Sequence, residues 1–413
     1  MPSKRIYHQY LSTLPKRPTL NPRVLTAAPT SSSLPTRSIS TTVVTRQNAQ
    51  HASQPPAPRS TGQPKPSSSN PPSSSTQDAR TDLLSRPRRS MLYVPGSSEK
   101  MIKKSQSSSS DTIIFDLEDS VAAHKKGSAR ETVFLALEAA ARPGPELAVR
   151  INPPSSNCDL AEDDLDMILP SSQLQTIVVP KVESEDDVRL IIEKARALRG
   201  EDKAPLGLVL SVESAGSLLR MPKIIERVRN QLGQNPYSGK PGANGKGGMV
   251  EIVALLFASE DYCASTGIVR TRDRKSLLFP RAHMATIAKG YNLAAIDMVC
   301  IDYKDQAYLI EEAEEAKELG YDGKQAIHPV QVDPIQNTFN PTEEAVERAA
   351  RILSLYEKAE KGDRGAYGLE EKRGGMTMID RPMLLQANAV VGLAKRAGMK
   401  VPSGQDLEAR KDQ

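Results

Sequence analysis

The sequence predicts an α/β chain whose folded part is a (β/α)8 TIM barrel, with a disordered N-terminal leader and a C-terminal helical extension. Three observations carry this. Eight short apolar runs lie between Ser90 and Ile327, with helical stretches between them. Most of the runs are continuous rather than alternating, as in strands covered on both faces. Each run is followed by polar residues, and a barrel places its chemistry at the C-terminal ends of its strands. An open doubly wound sheet fits the alternation too, but no GxGxxG follows the first run, as the dinucleotide-binding version requires.

The leader comes first. The chain has 413 residues and a formal charge of +5, but residues 1–77 contain no Asp or Glu and nine Lys or Arg. The remainder therefore carries 46 basic and 50 acidic residues, a mildly acidic body that does not read as a nucleic-acid binder. An acid-free segment containing Arg, Ser and Thr, without a secretory-type apolar core, has the composition of an organelle transit peptide, with the mitochondrial matrix as the expected address. A plastid address and compositional disorder without an address are the alternatives. Residues 51–80 follow with 17 of 30 positions Pro, Ser or Thr, too few apolar groups to offset the entropy of ordering. Residues 1–85 are thus expected to be transit peptide and linker, 86–335 the barrel, and 336–413 an extension that completes the active site. No window approaches 18 consecutive apolar residues, so no transmembrane helix is expected. Cys158, Cys263 and Cys300 are too few and too scattered for a disulfide framework or a thiolate zinc cluster.

The expected strands are Ser90–Val94, Thr112–Leu117, Leu147–Ile151, Thr176–Val179, Gly207–Val212, Ile252–Ala258, Ala295–Ile301 and Lys324–Ile327. Between them, Ser184 to Asp187 forms a capping signal, and Val188, Ile191, Ile192, Ala195 and Leu198 follow at helical spacing. Leu309, Ile310, Ala313, Ala316 and Leu319 repeat that spacing and stop at Gly320. The segment 231–248 holds six glycines and two prolines but lacks GxxxxGK[ST] spacing and precedes a strand, so it reads as a flexible insertion rather than a phosphate loop.

The strand ends carry Glu118 and Asp119, Arg150, Lys181 and Glu183, Glu213, Glu260 and Asp261, Asp302 and His328. One charged residue after a strand is an ordinary helix cap or loop residue, but such residues on seven successive runs, after a first that ends in Tyr93, converge on one mouth. Carboxylates gathered there need compensation, and oxygen donors with little His and no Cys favour Mg2+. Glu213 and Asp261 close adjacent strands and suit one shared ion. Arg150 suits a substrate carboxylate through its planar fork, or else pairs with Glu118 or Asp119. Those two acids read as supports for metal-bound water or for Arg150. Lys100, Lys103 and Lys104 follow the first strand at helical spacing and fit either substrate phosphates or a solvated face.

Seven stretches resemble the CitE-type branch of the HpcH/HpaI aldolase/citrate lyase superfamily, in order along the chain: 89–96, Asp116–Asp119, 149–152, 179–183, 212–215, 259–261 and 325–329. The resemblance runs from about Arg88 to Lys400. It implies a Mg2+-dependent TIM-barrel lyase with Glu213 and Asp261 as metal ligands and Arg150 binding the acid substrate. Tyr93, Lys100, Lys104, Ile327 and His328 would contact a CoA thioester. It also implies a catalytic Asp380, in Met378-Ile-Asp-Arg-Pro382, that reaches a neighbouring subunit of a trimer. Ser120 stands where relatives often have Gly. The implied reaction cleaves citramalyl-CoA to pyruvate and acetyl-CoA, with a malate-synthase-like side activity. Alternatives are malyl-CoA cleavage, a citrate lyase beta subunit acting on a citryl thioester, and an inactive barrel used as a binding scaffold. The site also leaves open that Asp380 only caps the helix that follows it, with Pro382 in its first turn.

Overall fold

The computed structural model describes residues 74–199, 204–241, 249–361, 368–370, 376–403 and 406–407. The leader up to residue 73, residues 242–248 of the Gly-rich insertion and most of the link before Asp380 lie outside the described residues.

Eight strands close into a parallel barrel in chain order: β1 (Ser90–Pro95), β2 (Thr112–Asp116), β3 (Glu146–Arg150), β4 (Thr176–Val179), β5 (Leu206–Val212), β6 (Val250–Phe257), β7 (Ala294–Asp297) and β8 (Gly323–Ala326). β8 returns to pair with β1 through Met91 and Gln325, which abolishes both sheet edges. The helices follow β1 to β8 in turn: α2 (Glu99–Ser105), α3 (Lys126–Glu138), α4 (Cys158–Ile168), α5 (Glu185–Leu198), α6 (Ala215–Gln231), α7 (Ser259–Thr266) with α8 (Leu278–Gly290), α9 (Gln306–Glu318) and α10 (Val332–Phe339). This is the predicted (β/α)8 fold.

Period-two side-chain alternation divides the core in two. Inward residues Met91, Ile114, Ala148, Val178, Val209, Leu256 and Ile296 fill the barrel, while outward residues such as Leu92, Ile113, Val149, Ile177 and Leu208 pack under the helices. The capping box predicted at Ser184 is present, with Asp187 accepting the Ser184 N–H at 2.9 Å. Asp305 caps α9, and Gly320 ends it at φ +92°.

Four expectations change. The folded chain begins before residue 86, because α1 (Ser74–Ser85) inserts Leu83 into the inner barrel cluster and Arg80 pairs with buried Glu251 of β6. The seventh strand ends at Asp297 rather than Ile301, because the Met298 and Cys300 carbonyls are taken by Lys324 and Gln331. The barrel's last helix runs past residue 335, since Ile335 and Phe339 both belong to its core. Asp261 does not close a strand: it lies in the first turn of α7, after β6 has ended.

The extension consists of α11 (Glu343–Lys361), a short antiparallel pair of β9 (Gly368–Glu370) and β10 (Met376–Met378), and α12 (Arg381–Arg396). Ala349 and Ile352 of α11 meet Ala387 and Val391 of α12 in a small core of their own.

Candidate active site

The inward positions that are apolar at mid-barrel become polar one step further along. Tyr93 follows Met91, Asp116 follows Ile114, and Arg150 follows Ala148. Asp116 and Arg150 are direct partners across β2 and β3. Arg150 donates from Nε to Asp116 Oδ1 and from Nη2 to Oδ2, both at 2.7 Å, and its guanidinium lies 4.9 Å over the Tyr93 ring. Burial would raise the Asp116 carboxyl, but Arg150, the Ser120 side chain and the Glu118 N–H hold it below its ordinary value. Burial pushes the Tyr93 phenol well up, against the pull of Arg150.

The turn after β2 is tightly held. Gly96 donates its N–H to the Asp116 carbonyl at 2.8 Å, and a Cβ at Gly96 would stand 2.7 Å from that oxygen. Lys126 donates to the Leu117 and Glu118 carbonyls and to Asn152 Oδ1, each at 2.7 Å. Ser120 keeps its N–H on Asp116 at 3.1 Å, so the departure from Gly leaves the turn intact.

A second acid group gathers around Lys181. Its Nζ lies 2.7 Å from Glu118 Oε1, 3.7 Å from Asp119 and 3.8 Å from Asp261. Lys181 takes φ +50°, a strained value for a non-glycine residue, and donates its N–H to Glu213 Oε1 at 3.0 Å. Burial raises the Glu213 carboxyl, and the nearby charge of Asp261 adds to this. Burial pushes the Glu118 carboxyl up to about 7, against Arg150 and Lys181. Arg150 Nη1 is 2.9 Å from Glu118 Oε2, but outside hydrogen-bond geometry, so this buried oxygen has no hydrogen-bond partner.

Asp116, Glu118, Asp119, Glu213 and Asp261 thus share two cations, Arg150 and Lys181. The mouth has an excess of carboxylate, a buried acceptor without a hydrogen bond, and only hard oxygen ligands. That chemistry fits a divalent cation of the Mg2+ type. Among the described residues no group of three or more His, Cys, Asp or Glu side chains forms a ready-made cage. An ion here would draw its remaining ligands from water and substrate, as Mg2+ commonly does.

A cavity of about 430 Å3 opens on this group, lined by Tyr93, Asp116, Asp119, Arg150, Asp261 and Ile327 among others. Glu118 and Glu213 are buried and do not line it. Lys100 and Lys104 are exposed on α2 and do not line it. His328 is exposed beside it, stacked at 4.7 Å on Tyr303. Asp380 is not brought to the cavity: it is exposed, and its Oδ1 accepts the Met383 N–H at 2.9 Å as the N-cap of α12.

Sequence reasoning noted Asp116 and Lys181 at strand ends without giving either a role, and passed over Lys126. Asp116 was accessible from inward alternation along β2. Lys126 carries no spacing signal, and the strand-end position of Lys181 does not reveal its partners, because each acts through the place where its long side chain ends.

Residues 89–329 match the HpcH/HpaI aldolase/citrate lyase family. The chain belongs to that family. It is 35% identical over 311 residues to the human mitochondrial citramalyl-CoA lyase, covering 75% of this chain and 86% of that protein. It is 29% identical over 334 residues to the citrate lyase subunit beta of Escherichia coli K12, covering 79% and 99% respectively. The crystal structure of Mycobacterium tuberculosis CitE in complex with magnesium, acetoacetate and coenzyme A superposes with a TM-score of 0.55 at 25% identity, covering 76% of this chain and all of that one. With this family membership, the chain is a lyase.

Proposed function

We propose that the chain is a Mg2+-dependent carbon–carbon lyase that cleaves citramalyl-CoA to pyruvate and acetyl-CoA. The observation that carries this reading is the carboxylate excess at the mouth, five acids against Arg150 and Lys181, with the Glu118 Oε2 in an ion pair but without a hydrogen bond. The 35% identity to citramalyl-CoA lyase and the magnesium, acetoacetate and coenzyme A held by the related CitE support the substrate class. Glu213 and Asp261 would hold the ion, which when bound supplies Lewis-acid polarisation of the substrate oxygens. Arg150, its Nε–Nη2 edge fixed by Asp116, sets positive charge at the cavity wall for the keto-acid carboxylate. Glu118 and Asp119 would hold Arg150 and bound water. Tyr93 and Ile327 line the cavity where the thioester would enter, and Lys100, Lys104 and His328 lie outside it for the more distant parts of CoA.

Cleavage leaves the bonding electron pair on the methylene carbon of the acetyl-CoA fragment, and that carbon needs a proton. Asp380 would deliver it from a neighbouring copy of the chain, in a trimer, since it is exposed and does not line its own cavity. The acid-free leader and the mitochondrial relatives support import into the mitochondrial matrix.

The test is steady-state turnover of citramalyl-, malyl- and citryl-CoA with Mg2+. The highest kcat/KM is expected on citramalyl-CoA. A preference for citryl thioester would transfer the reading to a citrate lyase beta subunit, and no turnover of any of the three would leave a binding scaffold.

A further inference from the structure

The two acids that would hold the ion are fixed in different ways. Glu213 directly follows the last residue of β5, and its Oε1 accepts the Lys181 N–H at 3.0 Å. Asp261 is the third residue of α7, and the cation beside it, Lys181 Nζ, stands 3.8 Å away, beyond hydrogen-bond reach. The place of the Asp261 carboxylate therefore depends on the backbone of that first turn. The turn has no side-chain cap, because its N-cap residue is Ala258.

Arg270 supplies a hold of another kind. Gly267, at φ +72°, ends α7 and turns the chain so that Arg270 comes back to the start of the helix. Arg270 Nη1 donates to Glu260 Oε1 at 2.6 Å and to Ser259 Oγ at 3.1 Å, on the two residues directly before Asp261. Its Nη2 donates to the Val299 carbonyl at 2.9 Å, in the segment after β7, and to the two Glu312 oxygens at 3.1 and 3.2 Å. Ser259, Glu260, Asp261 and Val299 all line the mouth cavity. Behind the clamp the partners are buried and matched. Glu312 of α9 and Lys324 of β8 are each 0% exposed, and Lys324 Nζ donates to Glu312 Oε1 and the Met298 carbonyl at 2.7 Å and to Asp297 Oδ2 at 3.1 Å. Burial works against the Arg270 charge, but Glu312 and Glu260 hold its pKa above the ordinary value. One guanidinium thus joins an uncapped turn at the mouth to a paired network inside the wall.

We propose that Arg270 is a positioning residue for the cation site: by tying Ser259 and Glu260 to Val299 and Glu312, it sets the first turn of α7 so that the Asp261 carboxylate faces the mouth. This role rests on the cation reading of the mouth. It needs both sides of a planar fork, which a lysine ammonium does not offer. The Glu260 side chain is 54% exposed, so its pair with Arg270 adds little to stability and acts by fixing where the turn lies. Groups that orient metal ligands from behind contribute about tenfold to a hundredfold in metal affinity.

The experiment uses the full chain without substrate and Mn2+ in place of Mg2+, with the free ion read by electron paramagnetic resonance. Wild type is expected to bind Mn2+ saturably, near one ion per chain. Arg270→Lys keeps a positive charge beside buried Glu312 and should fold, yet its Mn2+ dissociation constant should rise about tenfold. Arg270→Gln should raise it further and melt lower, because Glu312 loses a partner. In turnover, the Mg2+ concentration for half-maximal rate should shift with the Mn2+ affinity, and kcat should largely recover at saturating Mg2+. Leu83→Ala, destabilised at the floor, should bind Mn2+ as wild type does. Wild-type Mn2+ affinity in Arg270→Lys would overturn the role of Arg270 and leave the cation site standing. Equal weakening in Leu83→Ala would overturn it as a general effect of lost stability. A wild-type chain that binds no Mn2+ would overturn the cation site and this role with it.

Discussion

The two ends of the barrel treat charge in opposite ways. At the floor, Arg88 and Glu146 form a two-bond pair at 2.7 and 2.9 Å, both side chains 1% exposed, with Thr112 and Thr176 hydroxyls donating to the same carboxylate. Arg80 similarly covers Glu251, and Leu83 stops the barrel from below. At the mouth, five carboxylates share two cations, one residue sits in a strained backbone conformation, and Glu118 Oε2 has no hydrogen bond. The Arg88–Glu146 and Arg80–Glu251 pairs are matched group for group and serve stability. The mouth is left unmatched where a ligand would complete it, which is where a barrel enzyme does its chemistry.

The sharpest way to break this contrast is at the mouth. Glu213→Gln and Asp261→Asn are each expected to reduce turnover to background while the melting temperature stays at or above wild type, because each relieves carboxylate repulsion. A turnover assay paired with thermal unfolding checks both halves. Arg150→Lys keeps the charge but loses the fork to Asp116, and kcat/KM should fall about 100-fold. Unchanged kinetics would remove Arg150 from the site. Asp380→Asn can still cap α12, so it separates the two roles of that residue. Turnover should fall steeply with unfolding unchanged, and mixing with Asp261→Asn chains should restore some activity. Near-normal turnover would leave Asp380 as a cap only.

Changes at the floor should move stability and spare kcat. Leu83→Ala removes a side chain buried in the inner cluster and should cost about 2–5 kcal/mol in denaturant unfolding. A chain that starts at Asp82 loses Arg80 and most of α1, and should be less stable than one that starts at Ser74. The smallest effect is expected with pH. Burial alone would raise the Glu146 carboxyl, but Arg88 and the two threonine hydroxyls hold it below its usual value. A depressed carboxylate adds stability above its unfolded pKa, and that stability fades as pH falls through the folded one. The pair's contribution should therefore be full at pH 6 and decline below about pH 4.5, less steeply in Glu146→Gln.

Much of the barrel was legible because strands covered on both faces are continuous apolar runs, and the eight runs lie within two residues of the observed strands except at the end of β7. There Met298 to Ile301 prolongs the apolar run, but side chains from β8 and the turn beyond take its carbonyls. Helix α1 was hidden because, beyond Ala79, Leu83 and Leu84, it is polar and follows a Pro- and Ser-rich stretch. The acid mouth was legible from residues that recur after strands. Its internal pairing was not: Arg150 takes Asp116 as well as Glu118, and Lys181 reaches three acids, because tertiary approach rather than spacing sets those contacts.

Citramalyl-CoA turnover after exhaustive chelation, followed by stepwise return of Mg2+, tests the central claim most directly. The wild-type chain is expected to fall to background with EDTA and recover fully with Mg2+, while Asp261→Asn recovers nothing over the same range. Turnover that persists in the chelated wild-type chain would contradict the reading of the mouth as a cation site.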